Sequence, residues 1–239
     1  MSRKNVLTRV LTDGTWRRIY HRSCGEAFLL LLMLCVWGAG GCSGPREMSL
    51  FDGQGLGQWK VTDFGGQGDV RVEDGQIVLE MGNDLTGIVW TGPVVRMNYE
   101  LTVEARRVQG NDFFCGLTFP VDANCCSLIL GGWGGSICGI SNLDYYDAAN
   151  NETTRVIDFE NGRWYGVRVR VTPDKIEAWL DEEQIVDVQT AGRVIDTRVE
   201  VDLSKPLGIA TWQTAGAVRN IHLRKLEDGW FAGLFAARD

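Results

Sequence analysis

Apolar and polar residues alternate with a period of two along most of this 239-residue chain. That rhythm belongs to strands buried on one face and wet on the other. Tyr99, Leu101, Val103 and Ala105 alternate with Glu100, Thr102, Glu104 and Arg106. Val167, Val169 and Val171 alternate with Arg168, Arg170 and Thr172. Ile176, Ala178 and Leu180 interleave with Lys175, Glu177 and Trp179, and Ile221 and Leu223 with Asn220, His222 and Arg224. Turn residues separate the runs: Asp74-Gly75, Gly92-Pro93, Gly110-Asn111-Asp112, Asn161-Gly162, Pro173-Asp174 and Asp181-Glu182-Glu183. Asp-Gly between Val72 and Ile77 is a hairpin signal, because both central residues of a type I′ turn need positive φ. Many short strands at regular spacing predict an all-β, two-sheet antiparallel sandwich of jelly-roll type. A helical period is seen only in the tail, Gly229 to Arg238.

The first 42 residues read differently. Arg3, Lys4, Arg9, Arg17, Arg18 and Arg22 precede an apolar run, Ala27 to Trp37, too short to span a bilayer comfortably. Ala39-Gly40-Gly41-Cys42 follows, with the small residues that an extended backbone presents to a peptidase. The expectation is a signal peptide with a lipobox over 1–42, lipidation at Cys42, a linker over 43–48, a domain over 49–227 and a C-terminal tail over 228–239. The protein would then be exported and tied to the cell envelope, facing the periplasm or the surface, through its lipid alone. The alternative is an ordinary signal peptide with a chance cysteine.

The leader removes six of the 24 basic and two of the 31 acidic residues, leaving 18 against 29, a net charge of −11. Such a surface repels phosphate backbones, so nucleic acid is not an expected partner. Four cysteines remain: Cys115, Cys125, Cys126 and Cys138. An exported domain permits two disulfides, with Cys126–Cys138 across the glycine hairpin the one considered; four buried free thiols are the alternative. No paired CxxC and a single histidine beyond the leader exclude a zinc motif or a multi-histidine centre.

Several strings, in order, carry a family resemblance. Leu50-Phe51-Asp52-Gly53 with Trp59-Lys60 resembles the "LFDGK…GWK" opening of the 3-keto-disaccharide hydrolase domain family. Val72-Glu73-Asp74-Gly75 matches its "VEDG" hairpin. Asn98-Tyr99-Glu100-Leu101, Gly162-Arg163-Trp164-Tyr165, Trp179-Leu180-Asp181, Gly208-Ile209 and Arg219-Asn220-Ile221 resemble later segments. The resemblance runs from about 49 to 226 and implies a concanavalin A-like or laminin-G-like jelly roll. It also implies cleavage of glycosidic bonds in sugars oxidised at C3. The matching tryptophans, Trp59, Trp164 and Trp179, are expected to plug sheet edges or the core. The middle departs from the family's pattern: Asn111 to Leu117 is followed by Pro120 near the place of the expected arginine, and Ser127 to Trp133 carries no glutamate or glutamine.

A 3-keto sugar has an acidic C2 proton, so cleavage by elimination needs a base, a group near the leaving oxygen and something to polarise the ketone. The polar segment Asn142 to Thr154 offers Asp144, Asp147 and Glu152 as catalytic candidates. Repulsion between Asp144 and Asp147 is expected to raise one pKa. A solvated acidic loop, with a divalent metal such as calcium, is the bland alternative. Trp133, set between glycine pairs, and Trp212 are candidate sugar-stacking rings, as is Trp90. Asp112 and His222 complete the candidate substrate-binding set. Three functions stay open: a 3-keto-glycoside hydrolase, a non-catalytic glycan-binding module and a structural envelope lipoprotein. In the first two the partner is a glycan or small saccharide.

Overall fold

The computed structural model describes residues 47–226. The expected signal peptide, Cys42, all but the end of the linker and the 228–239 tail lie outside the described residues.

Fifteen strands follow in order. The first five are β1 (Glu47–Ser49), β2 (Trp59–Val61), β3 (Val70–Glu73), β4 (Gln76–Leu79) and β5 (Leu85–Trp90). Next come β6 (Tyr99–Gln109), β7 (Cys115–Val121), β8 (Asn124–Gly132), β9 (Ile137–Ser141) and β10 (Arg155–Val156). The last are β11 (Tyr165–Val171), β12 (Lys175–Leu180), β13 (Glu183–Gln189), β14 (Gly208–Trp212) and β15 (Ala215–Lys225). One sheet runs β13-β12-β11-β6-β15-β4-β3, with β1 also on β15; the other runs β10-β9-β8-β7-β14-β5-β2. All pairings are antiparallel, as the alternation requires. Asp74 and Gly75, both at positive φ, close the β3–β4 hairpin. One 3₁₀ turn, Val199–Ser204, leads into β14.

The core lies between the sheets. Leu101, Val103 and Ala105 of β6 and Val167 and Val169 of β11 face Cys115, Leu117 and Phe119 of β7 and Leu128 and Leu130 of β8. Tyr99 bridges the layers, donating its hydroxyl to the Pro120 carbonyl at 2.6 Å in a fully buried bond. Trp59 and Trp90 stack edge to face at 5.3 Å in the core, and Trp59 Nε1 donates to Leu50 O at 2.9 Å. Trp90 is thereby removed from the candidate sugar platforms.

Trp164 and Trp179 do not plug the core. Their rings lie against arginine guanidiniums, Trp164 between Arg106 (4.8 Å) and Arg219 (4.2 Å), Trp179 beside Arg168 (3.7 Å) and Arg170 (5.2 Å). On a wet sheet face an indole stacks on a planar cation in preference to standing in water.

The four cysteines are free and buried. The register explains why Cys126 and Cys138 do not pair: Cys138 stands opposite Leu130, four residues along β8 from Cys126. The thiols act as small apolar core residues.

Candidate functional site

The seven-stranded sheet carries a cleft of about 220 Å3 on the face turned away from the core. The alternation that sends Cys126, Leu128 and Leu130 inward sends Ser127 and Ile129 outward, and with Ser141 of β9 these form the floor. Small residues on the adjacent strands, Gly116, Ala210 and Gly87, leave room beside this floor. Three aromatic residues border it: Phe113, Trp133 and Trp212. The 3₁₀ turn and the residue before it supply the opposite wall: Arg198, Glu200 and Val201.

One chain of hydrogen bonds joins the three aromatic residues. The Trp212 amide donates to the Phe113 carbonyl at 3.0 Å. The Phe113 amide donates to Asp112 Oδ1 at 2.7 Å, and the Gly134 amide donates to Asp112 Oδ2 at 3.0 Å. Asp112 itself is anchored through its own amide to Thr214 Oγ1 at 2.9 Å. A single carboxylate thus sets the spacing between the Phe113 wall and the Trp133 wall. Asp112 lines the cleft, but both its oxygens already accept backbone amides.

Trp133 is 44% exposed and sits at φ 51°. A left-handed backbone costs an ordinary residue about 1–2 kcal/mol, so the surrounding loop must hold it there.

The opposite wall is an ion-paired cluster. Arg198 spans Glu200 with two nitrogens (Nη2–Oε1 2.6 Å, Nε–Oε2 3.2 Å) and reaches Asp147 Oδ2 with Nη1 at 3.0 Å. The Arg198 hydrogen bonds hold the Glu200 carboxyl below the ordinary glutamate range, against a smaller opposing effect of burial. Glu200 is therefore a carboxylate near neutrality.

The loop acids are not gathered into this cleft. Asp144 accepts from the Val194 amide at 2.8 Å and Arg193 Nε at 2.6 Å; Glu152 pairs with the same Arg193 at 2.6 Å. Neither lines the cleft. Asp147 touches it only through Arg198. Repulsion from Asp147 does not raise Asp144. The Val194 amide, then Arg193, lowers its pKa, because each acid of the loop has found its own donors instead of facing the other. Among the described residues no three acidic, cysteine or histidine side chains converge as a metal site. His222 lies on the other sheet, where β15 pairs Thr102 of β6 and Ser49 of β1; it is not part of the cleft.

Of the substrate-binding candidates the structure brings Trp133, Trp212 and Asp112 together. It adds Phe113, Arg198 and Glu200, which the sequence reading did not single out. Phe113 precedes Phe114 at a strand start, and only the register decides which ring enters the core.

A two-layer jelly roll with an aromatic-walled cleft on one sheet is a carbohydrate-active or carbohydrate-binding type of fold. The chain belongs to the 3-keto-alpha-glucoside-1,2-lyase-like domain family, whose family model matches residues 47–224. Among solved structures it is similar to a Crh5 transglycosylase in complex with NAG (10% identity, 77% of this chain and 85% of that one, TM-score 0.54). It is also similar to a Bacillus subtilis protein of unknown function with a galectin-like fold (9% identity, 71% and 90%, TM-score 0.51). A third is the carbohydrate-binding module CBM66 of Bacillus subtilis (11% identity, 70% and 96%, TM-score 0.48). At these identities the likeness is one of fold. No curated protein matches the sequence significantly.

Proposed function

We propose that this protein binds a neutral saccharide in the cleft between Phe113, Trp133 and Trp212. The observation that carries the reading is the bonded aromatic set: three rings on one backbone hydrogen-bond chain, beside a floor of small side chains. Flat rings accept the apolar face of a sugar, while Ser127, Ser141, Arg198 and Glu200 meet its hydroxyls. The volume suits one sugar ring better than a long chain, lying below the roughly 300–1,000 Å3 of larger ligand sites. Neutral glycans are favoured because Arg198 is already matched by Asp147 and Glu200.

Family membership favours a second reading, cleavage of a 3-keto-glycoside in the same cleft. Glu200 is then the candidate base for the C2 proton, since it lines the cleft as a carboxylate, and Arg198 the group that polarises the ketone oxygen. Asp147 then supports the wall through Arg198, and Asp144 and Glu152 stand outside the cleft, paired with Arg193. Incubation with a 3-keto-glucoside, with and without a divalent metal, separates the two readings. Turnover lost in Glu200→Gln supports the lyase or hydrolase. Binding without turnover leaves the glycan module, and neither leaves a structural envelope protein.

Export and lipid anchoring at Cys42 belong to the same proposal and rest on the leader sequence. Fatty-acid labelling that disappears in Cys42→Ser tests them.

A further inference from the structure

The cationic side chain that ends the core register of β6 has no evident place in a stability account. Tyr99, Leu101, Val103 and Ala105 face the core, and Arg107 is next in that series. It is 5% exposed and has no carboxylate in direct contact among the described residues, the Asp112 carboxylate attracting it only at longer range. Its Nε has no partner, and its guanidinium lies over Phe114 (5.3 Å) and Phe159 (5.8 Å). Burial depresses its pKa. A buried charge of this kind is costly, and apolar replacements of buried charges are often neutral or stabilising.

What Arg107 does hold is the loop that carries Trp133. Its Nη2 donates to the Gly135 carbonyl at 2.8 Å and to the Gly131 carbonyl at 3.3 Å. These carbonyls stand on either side of Trp133, Gly131 at the end of β8 and Gly135 in the loop to β9. The glycines are fitted to that contact. A Cβ on Gly131 would collide with Arg107 Nη2, one on Gly135 would lie 2.8 Å from Asn111 O, and both residues have positive φ. Asp112 secures the tip through Gly134. The strained Trp133 is thus held at three neighbouring residues by one buried cation and one carboxylate.

We infer that Arg107 is a positioning residue that fixes the Trp133 indole, so that the saccharide meets a preorganised platform. The inference rests on the saccharide reading for its purpose, but its structural part is testable without ligand.

The test uses the full chain labelled with 5-fluorotryptophan, with the Trp133 resonance assigned by its loss in Trp133→Phe. Arg107→Met and Arg107→Lys are compared with the parent by 19F NMR, thermal melting and titration with trehalose, maltose and cellobiose. The expected result is a single sharp Trp133 line in the parent that broadens or splits in Arg107→Met. The other tryptophan lines stay in place and cooperative melting is kept. Arg107→Lys, which reaches one carbonyl at a time, falls between. Disaccharide affinity drops about tenfold in Arg107→Met. An unchanged Trp133 line in both variants overturns the inference. So does loss of all tryptophan lines together in both, which would assign Arg107 to the fold and not to the loop. If the parent binds no disaccharide, the saccharide reading fails while the NMR still decides the role of Arg107.

Discussion

Asp112 and Phe113 are bound to each other within one dipeptide: the Phe113 amide donates to Asp112 Oδ1 at 2.7 Å, which leaves Oδ2 free to take the Gly134 amide. The side chain most readily read as a sugar-binding acid is thereby a spacer between two aromatic walls. Asp112→Asn keeps one acceptor and loses the other. It should cost about 1–3 kcal/mol in denaturant unfolding. It should also weaken saccharide binding more than the stability loss alone explains. Unfolding curves and fluorescence titration measured on the same preparation check both.

Gly116 sets the depth of the floor. A Cβ there would stand 3.0 Å from the Phe113 ring and 3.4 Å from the Ala210 carbonyl. Gly116→Ala should push Phe113 toward the opening and reduce affinity several-fold with a stability change under about 1 kcal/mol. Calorimetric titration measures the first and thermal melting the second.

On the far side of the sandwich, Glu100 has an 8% exposed side chain and accepts from Arg224 (2.8 Å), Arg170 (3.0 Å) and Arg168 (3.4 Å). Burial alone would raise its pKa. The bonds from Arg224 and Arg170 outweigh burial and hold it below the ordinary 4.5. A lowered carboxyl stabilises the fold fully above its unfolded value, and that stability is lost as pH falls through the folded value. The unfolding free energy should therefore be flat in this term above about pH 4.5 and decline below it. Glu100→Gln should flatten the acid decline while lowering stability at pH 7, as a pH series of denaturant melts would show.

Burial raises the thiol of Cys115 to about 12 and that of Cys138 to about 11. Native protein should resist iodoacetamide at pH 8, and all four thiols of residues 47–226 should react after denaturation. Reductant should leave the melting temperature unchanged. A mass shift of two hydrogens per bond on reduction would show a disulfide instead.

The strands were legible because alternation is a local record of which face is wet. β6, β11, β12 and β15 lie where the runs place them, and Asp74-Gly75 makes its hairpin. Trp133 was legible because glycines on both sides leave an indole without neighbours. The remainder of the site depends on pairings between distant segments. Glu200 sits in a 3₁₀ turn whose sequence carries no helical period, with Arg198 just before it, and both reach the cleft only because that turn leads into β14. Arg107 did leave a sign, a charge in the core register of β6, and only the fold shows which carbonyls it serves. The loop acids stay out of the cleft for the opposite reason. Asp144 and Asp147 are near in sequence, but Arg193 and Arg198, about fifty residues later, draw them apart.

The proposed saccharide site lies against the Trp133 indole. Its most direct measurement is the titration of the full chain with neutral disaccharides, read by tryptophan fluorescence and calorimetry, in parent and Trp133→Ala. Trp133 is exposed and between glycines, so the substitution should change stability by less than about 1 kcal/mol. A saturable response is expected in the parent, with at least a roughly tenfold loss of affinity in the variant. Equal affinity in the two proteins, or no binding in either, would contradict it.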